Sequence, residues 1–295
     1  IYHNNRDGTF TDINAAIPAT QSLNGHSSAW ADFNRDGYLD LVQSGTDFWI
    51  SQMLTLIYRN NGDGTFTDIG AGITGIEEGS VAWGDFDNDS CPDLIIAGIT
   101  RDGTATKLYK NNGNGTFTDT NLVITATWNG NVSWADFDKD GYLDLLISGE
   151  TETGTLISRV YRNESGTGTF TDINAGLPGV SFSNSIWGDF NNDTYPDILI
   201  SGSPPGFHND FAAIYKNNKD GTFTDIHADI TGFEYGQFAW GDYDNDGFKD
   251  LLGIGDSNVG FWGRLYHNNG DETFSEVKNN ISRGIFSTVA WGDYD

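Results

Sequence analysis

The stretch that decides the fold is Trp30-Ala31-Asp32-Phe33-Asn34-Arg35-Asp36-Gly37-Tyr38-Leu39-Asp40-Leu41. Related stretches begin at Trp83, Trp134, Trp187, Trp240 and Trp291, so successive copies lie 51 or 53 residues apart. An internal period of this size is typical of repeat proteins, in which each unit is one small supersecondary structure. We therefore expect one repeat domain over residues 1–295, although the length alone would allow two domains.

A second phrase alternates with the first and carries the signals of a hairpin. One copy reads Ile57-Tyr58-Arg59-Asn60-Asn61-Gly62-Asp63-Gly64-Thr65-Phe66-Thr67-Asp68, and others begin at Ile1, Leu108, Val160, Ile214 and Leu265. Asn-Gly and Asp-Gly between alternating apolar residues favour a tight turn, because these residues tolerate a positive φ. Each unit is therefore predicted to hold four short strands, which in the second unit lie at residues 80–83, 93–98, 107–110 and 116–119.

Four antiparallel strands in each unit predict an all-β fold, a β-propeller whose blades are four-stranded sheets. A solenoid of stacked sheets is the alternative, but blades around an axis protect their edges better. Five units are complete, and the chain starts and stops inside a unit, so we expect it to be a piece of a larger propeller. That propeller would have six blades if the two ends share one, and seven or more if they do not.

The acidic part of the first phrase has the ligand pattern of a divalent-cation loop. Counting from the first aspartate, side-chain oxygens stand at positions 1, 3, 5 and 9, and position 7 offers a backbone carbonyl. Such hard oxygen ligands favour calcium or magnesium over zinc or copper, and calcium tolerates irregular coordination best. The predicted calcium ligands are Asp32, Asn34, Asp36, Tyr38 and Asp40; Asp85, Asp87, Asp89, Cys91 and Asp93; Asp136, Asp138, Asp140, Tyr142 and Asp144; Asp189, Asn191, Asp193, Tyr195 and Asp197; and Asp242, Asp244, Asp246, Phe248 and Asp250.

Two of the five loops deviate from this pattern. Ser90 and Thr194 replace the glycine that position 6 uses for a sharp turn. A residue with a side chain costs about 1 kcal/mol in the left-handed region, so these loops are expected to bind calcium more weakly. The alternative for all five loops is an empty turn in which Asp and Asn accept backbone hydrogen bonds. An EF-hand is not expected, because the glutamate of position 12 is absent and the flanks are strands.

The charge balance narrows the classes of partner. The chain carries 42 acidic against 15 basic residues, for a formal net charge of −27, which disfavours nucleic acid and anionic membranes as partners. No apolar run approaches membrane-spanning length. Five calcium ions would bring ten positive charges and change the formal net charge from −27 to −17.

The predicted calcium sites also indicate a location. Weak oxygen-ligand sites fill where calcium is millimolar, so we expect a secreted or cell-surface protein. The single cysteine, Cys91, leaves no internal disulfide.

The two phrases together resemble the FG-GAP/VCBS repeat family, and the bacterial VCBS style is the nearest match. The resemblance rests on stretches such as Trp83-Gly84-Asp85-Phe86-Asp87-Asn88-Asp89 and Tyr109-Lys110-Asn111-Asn112-Gly113-Asn114-Gly115-Thr116-Phe117, and it runs through the whole chain. Similar repeats build the integrin α-subunit propeller, some fungal lectins and many secreted bacterial proteins. The resemblance implies about seven blades, with structural calcium in the loops between the first and second strands.

The loops on the opposite side of each blade vary from copy to copy. Variable loops on a rigid frame are a common place for binding, and exposed aromatic side chains there suit a sugar ring or a protein groove. The candidate ligand-binding residues are Trp49, Trp128, Phe207, His208, Tyr235 and Trp262. The alternative is that these side chains simply pack over the ends of the blades.

These observations predict a non-enzymatic module that binds carbohydrate or a cell-surface protein. No repeated catalytic constellation, nucleophile motif or phosphate loop accompanies the repeats. The scaffold of a secreted polysaccharide-degrading lyase or hydrolase is one alternative, because acids such as Glu77, Glu78 and Glu234 lie near the variable loops. A purely structural surface repeat is the other.

Overall fold

The computed structural model describes residues 1–15, 17, 23–47, 50–205, 211–257, 260–278, 281 and 288–292. The side chains of residues 23–26, 234, 257, 261 and 262 lie outside this description. The described regular structure consists of the strands β1 to β22. Within the described part, no helix is long and apolar enough to cross a membrane. The all-β prediction is confirmed.

Twenty of the strands form five four-stranded antiparallel sheets, which we call blades 1 to 5. Each blade takes four consecutive strands in chain order. The bounds are β3 (Leu23–Ala31), β4 (Asp40–Asp47), β5 (Gln52–Asn60) and β6 (Phe66–Asp68) in blade 1; β7 (Glu77–Gly84), β8 (Asp93–Thr100), β9 (Gly103–Asn111) and β10 (Phe117–Asp119) in blade 2; β11 (Trp128–Ala135), β12 (Asp144–Glu150), β13 (Leu156–Asn163) and β14 (Phe170–Asp172) in blade 3; β15 (Ser181–Gly188), β16 (Asp197–Ser203), β17 (Phe211–Asn217) and β18 (Phe223–Asp225) in blade 4; and β19 (Glu234–Gly241), β20 (Asp250–Ser257), β21 (Gly260–Asn268) and β22 (Phe274–Val277) in blade 5.

The remaining two strands, β1 (Tyr2–Asn4) and β2 (Phe10–Asp12), pair with each other as a two-stranded sheet. The first strand of each blade packs against the first strand of the next, from β3 through β7, β11 and β15 to β19. This is the arrangement of propeller blades, so the predicted fold is confirmed. The number of blades in a complete propeller and the single-domain organisation stay predictions.

From the second copy onwards, the repeated tryptophans lie against the preceding blade. The indole Nε1 of Trp83 donates to the carbonyl of Ala29 in the preceding blade at 3.3 Å. The ring of Trp83 also lies 6.1 Å from Phe33 and 6.0 Å from Phe117, so one aromatic cluster joins two blades. Trp291 donates to Ala239 at 3.0 Å, so it takes the same place beside blade 5.

The second strands of blades 2, 3 and 4 are buried on both faces. In β8, Leu94, Ile95 and Ile96 have no exposed side-chain surface, because neighbouring blades cover both sides of the sheet. This explains why the strand reads as a continuous apolar run instead of alternating with polar residues.

A buried asparagine at the end of the third strand of blades 2 to 5 holds successive blades together. Asn111 Nδ2 donates to the carbonyl of Phe33 in blade 1 at 2.8 Å and to the carbonyl of Pro92 in its own blade at 3.1 Å. The corresponding bonds of Asn163, Asn217 and Asn268 to the preceding blade measure 2.8, 2.8 and 2.7 Å. These side chains have almost no exposed surface, so each bridge fixes the acidic loop of one blade against the next.

We expect Asn111→Ala to destabilise the folded chain by about 2–4 kcal/mol, because it leaves two buried carbonyls without a donor. The matched control is the next residue, Asn112, whose exposed amide bonds only to the hydroxyls of Thr116 and Thr118 within its own turn. Asn112→Ala should cost less than about 1 kcal/mol. Chemical denaturation in calcium measures both, and equal costs for the two variants would contradict the bridging role.

Candidate metal centres

The five acidic loops connect the first and second strands of the blades, at residues 32–40, 85–93, 136–144, 189–197 and 242–250. Position 9 is the first residue of the second strand in every case: Asp40, Asp93, Asp144, Asp197 and Asp250. These five carboxylates are completely buried. Each loop therefore has one predicted ligand anchored in the sheet and the other predicted ligands on the connecting turn.

The buried aspartate of position 9 is held by two backbone bonds. In blade 2, Asp93 accepts from the amide of Phe86 at 3.1 Å and from the amide of Asn111 at 2.8 Å. The same pair recurs in the other blades, as in Asp144, which accepts from Phe137 at 3.0 Å and from Asn163 at 2.9 Å. The carboxylate thus joins its own loop to the third strand, and it retains lone pairs for a cation.

The first aspartate of each loop shapes the turn around itself. Asp85 accepts from the amides of Asp89 and Ser90 at 3.0 and 2.8 Å, and Asp89 accepts from the amide of Cys91 at 2.8 Å. Hydrogen bonds within the chain therefore shape the turn, and they place its carboxylates on one side. The contribution of the position-7 carbonyls stays a prediction.

The backbone at position 6 is left-handed in all five loops. Gly37, Gly141 and Gly247 have φ values of 89°, 93° and 92°, and the two exceptions, Ser90 and Thr194, have 69° and 73°. A residue with a side chain is strained in this region, so Ser90 and Thr194 make their loops less stable than glycine would. Weaker calcium binding in these two loops stays a prediction.

Carboxylates converge closely enough to share one ion in three of the loops. Single oxygen atoms of three aspartates lie within 4.8 Å of one another in each group. The groups are Asp85, Asp87 and Asp93; Asp136, Asp138 and Asp144; and Asp242, Asp244 and Asp246. Loops 1 and 4 carry Asn34 and Asn191 at position 3, which contribute amide oxygens instead.

Two buried oxygens show that a cation fits. Oδ1 of Asp87 and Oδ1 of Asp136 have almost no exposed surface and no hydrogen-bond partner. An unpaired buried carboxylate oxygen is costly, and a divalent ion among these oxygens removes that cost. The ion would be held by the oxygens of positions 1, 3, 5 and 9, and it would supply positive charge and bind the turn to the sheet. Hard oxygen ligands of this kind match calcium.

The electrostatics of the loops also favour a cation. Burial, and to a smaller extent the charges of neighbouring aspartates, raises the pKa of Asp93, Asp144 and Asp197 to about 7, although the backbone hydrogen bonds to these carboxylates act in the opposite direction. Burial is also the main reason why the pKa of Asp40 rises to about 6. These carboxylates therefore tend to hold a proton near neutral pH when no metal cation balances them.

In blades 2 and 5 a basic residue on the third strand contacts the acidic loop, and the sequence reasoning missed it. The ammonium of Lys110 contacts Asp87 and lies 3.0 Å from Oδ2 of Asp89. In blade 5 the imidazole Nδ1 of His267 lies 3.3 Å from both Asp244 and Asp250. The signal was present in the second phrase, whose third position is Arg59, Lys110, Arg162, Lys216 or His267.

The predicted ligand-binding residues are only partly described. Trp49, Phe207 and His208 lie outside the described residues, as does the side chain of Trp262. Trp128 begins β11 and is half-buried. Tyr235 lies in β19, and its ring centroid is 4.4 Å from that of Phe182 in blade 4. The structure thus brings two of the aromatics together at the ends of the inner strands, away from the acidic loops.

A family model described as the FG-GAP-like repeat matches residues 1–42, 48–96, 85–147 and 242–295. The chain belongs to the FG-GAP-like repeat family. Human cartilage acidic protein 1 is 31% identical over 180 residues, which cover 56% of this chain and 26% of that protein. The chain therefore spans about a quarter of the length of this FG-GAP-like relative.

Two solved structures show a partial likeness to this FG-GAP-like chain. The biofilm matrix protein Bap1 of V. cholerae has a TM-score of 0.46 at 15% identity, with 88% of this chain and 40% of that one covered. A GH43_1 enzyme from Xanthomonas citri has a TM-score of 0.45 at 13% identity, with coverages of 87% and 92%. At these scores the likeness says nothing about function.

We expect the metal-free chain to lose stability as the pH rises from about 5 to 8. A carboxyl group whose pKa rises on folding, from 3.8 to about 7 in Asp93, Asp144 and Asp197, binds its proton more tightly in the folded state. Its stabilising contribution is complete below the unfolded pKa and is lost as the pH passes the folded pKa. Groups with a lowered pKa, such as Asp63 and Asp220, change the stability with pH only under more acidic conditions.

Melting temperatures across this pH range, in EDTA and in saturating calcium, measure the effect. Calcium binds the ionised carboxylates, so the decline should disappear or reverse when calcium is present. A metal-free melting temperature that rises from about pH 5 to 8 would contradict the raised pKa values.

We also expect Ser90→Gly and Thr194→Gly to stabilise the chain by about 0.5–1 kcal/mol each, because glycine removes the left-handed strain. The converse substitution Gly141→Ser in loop 3 should destabilise by about 1 kcal/mol. Denaturation in calcium is the measurement, and destabilisation by both glycine variants would show that the hydroxyls have a positive role in their loops.

Proposed function

We propose that the chain is a calcium-stabilised propeller that works outside the cell as a non-enzymatic binding module for carbohydrate or for a cell-surface protein. The observation that carries the calcium part is the convergence of three carboxylate groups within 4.8 Å in loops 2, 3 and 5. Membership of the FG-GAP-like family supports the module as a frame on which a binding surface is carried.

Calcium would act here as a structural ion. Each loop gathers its oxygens through bonds to the chain, and the position-9 aspartate lies at the start of a buried strand. An ion held by both parts would tie the exposed turn to the core of its blade. Because only the folded loop brings these ligands together, binding energy would become folding energy.

Two observations support an extracellular location. Exposed oxygen-ligand loops of this kind fill when calcium is millimolar, which is the condition outside cells. The name of the human relative, cartilage acidic protein 1, associates that protein with cartilage, an extracellular tissue matrix. The large negative charge, −27 before metal binding, also suits a soluble partner or a cationic surface better than nucleic acid.

The binding surface would lie at the ends of the inner strands opposite the calcium loops. Phe182 and Tyr235 from adjacent blades place their rings 4.4 Å apart, and both residues have a left-handed backbone, with φ of 47° and 52°. The same left-handed conformation occurs at Glu78 and Asn129 in blades 2 and 3, so it belongs to a bulge that the inner strands share. The pair, together with Trp128 at the same end of the inner strand of blade 3, suits stacking on the apolar face of a sugar ring.

A glycan array with calcium and with EDTA tests the proposal, together with an adhesion assay on cell-surface protein. We expect binding in calcium that Trp128→Ala or Tyr235→Ala reduces at least about tenfold while the melting temperature stays the same. The control is Tyr2→Ala, because Tyr2 is an aromatic with 68% of its surface exposed on the separate two-stranded sheet.

Two outcomes would contradict the proposal. Turnover of a polysaccharide by the purified chain would support the enzymatic alternative instead. No binding to any glycan or cell-surface protein by the calcium-saturated chain would leave a purely structural repeat as the better account.

A further inference from the structure

The third strand of blade 5 differs from the others at one position. Blades 1 to 4 carry a lysine or an arginine there, whereas blade 5 carries a histidine, His267. A charged ammonium or guanidinium has no lone pair for a metal. Neutral imidazole does have one, and it is the commonest nitrogen ligand for metals in proteins. The substitution therefore changes what the adjacent acidic loop can bind.

The imidazole of His267 points into the acidic loop of its own blade. Nδ1 lies 3.3 Å from Oδ2 of Asp244 and 3.3 Å from Oδ1 of Asp250. Although the side chain keeps 29% of its surface exposed, the Nδ1 atom itself is enclosed and forms no hydrogen bond. The ring of Tyr243 meets the imidazole edge to face at 6.1 Å and holds its orientation.

One nitrogen and two carboxylate oxygens thus converge from three places in the blade. The ligand atoms of Asp244, Asp250 and His267 all lie within 4.8 Å of one another. Asp250 is fully buried and fixed by the amides of Tyr243 and Asn268 at 2.9 Å each. Two ligands on one tetrahedral ion, at bonds of about 2.0–2.1 Å, stand about 3.3 Å apart. The separations around Nδ1 match this geometry.

Blade 2 provides the internal comparison. Its acidic loop also has three converging aspartates, Asp85, Asp87 and Asp93, but the residue in the place of His267 is Lys110, which forms ion pairs with Asp87 and Asp89. The three converging ligands of that loop are all carboxylates, and the thiol of Cys91, which hydrogen-bonds to Asp89, is not one of the group. Oxygen-only sites suit calcium, whereas a set with imidazole nitrogen suits zinc and related transition metals.

We propose that the loop of blade 5 is a transition-metal site, with Nδ1 of His267 and the carboxylates of Asp244 and Asp250 as its protein ligands and zinc as the ion it takes. The inference rests on the proposed function only in treating the acidic loops as cation sites. Asp242, Asp244 and Asp246 form an overlapping oxygen-only set in the same loop. Zinc and calcium would therefore compete for Asp244.

Calorimetric titration of zinc into the whole calcium-free chain tests the site, because calcium would compete for Asp244. We expect one zinc ion per chain in the natural sequence and at least tenfold weaker binding in His267→Asn, since even the loss of an outer partner of a ligand costs about 10–100-fold in metal affinity. The matched control is His227→Asn, because His227 is 86% exposed and pairs only with Asp225. Equal zinc affinity in His267→Asn and the natural chain would overturn the proposal, as would absence of zinc binding.

Two further variants guard against a loss that merely reflects misfolding. His267→Lys installs the residue that blades 2 and 4 carry at this position, so the blade should fold but bind no zinc. Lys110→His should create a second zinc site among the aspartates of loop 2. If the Lys110→His variant folds but binds no additional zinc ion, the imidazole is not the ligand that determines zinc binding.

The outcome can be separated from that of the proposed function. If calcium fails to stabilise the chain but zinc binds through His267, the calcium account fails and this inference stands. If calcium stabilises the chain and substitution of His267 leaves zinc binding unchanged, the calcium account stands and this inference fails.

Discussion

The fold depends on one buried carboxylate in each repeat, the aspartate that begins the second strand. In blade 2 this is Asp93, which accepts one amide from its own loop and one from the third strand. The asparagine that donates the second amide, Asn111, extends its side chain to the preceding blade. Turn, sheet and neighbouring blade are thereby joined through two adjacent side chains, and the arrangement repeats along the chain.

Burying a negative charge requires compensation, and the blades provide it in different ways. When no other cation is bound, protons on the carboxylates remove the charge, as the raised pKa of Asp93, Asp144 and Asp197 indicates. In blade 2 the ammonium of Lys110 contributes as well. In blade 5 the imidazole of His267 lies at the position of that lysine. A divalent ion neutralises each loop more completely than either, and this is the physical reason for expecting calcium throughout and a different metal where a nitrogen is present.

The repeat period and the turn residues were sufficient to predict the propeller. The strand predicted at 93–98 is β8, and the one at 107–110 lies within the longer β9. The carboxylate positions were also readable, because alternate acids before a strand have few other uses. Asn111 was read only as a turn residue, since its bond to Phe33 joins residues 78 positions apart and no local pattern reveals such a contact. The pairing of Phe182 with Tyr235 was hidden for the same reason.

Differential scanning calorimetry of the chain in saturating calcium and in EDTA tests the central claim most directly, namely that the acidic loops are structural cation sites. Several sites that form only in the folded state should raise the melting temperature in calcium by more than about 10 °C. The same melting temperature in both conditions would contradict the claim and would identify the loops as turns held by hydrogen bonds alone.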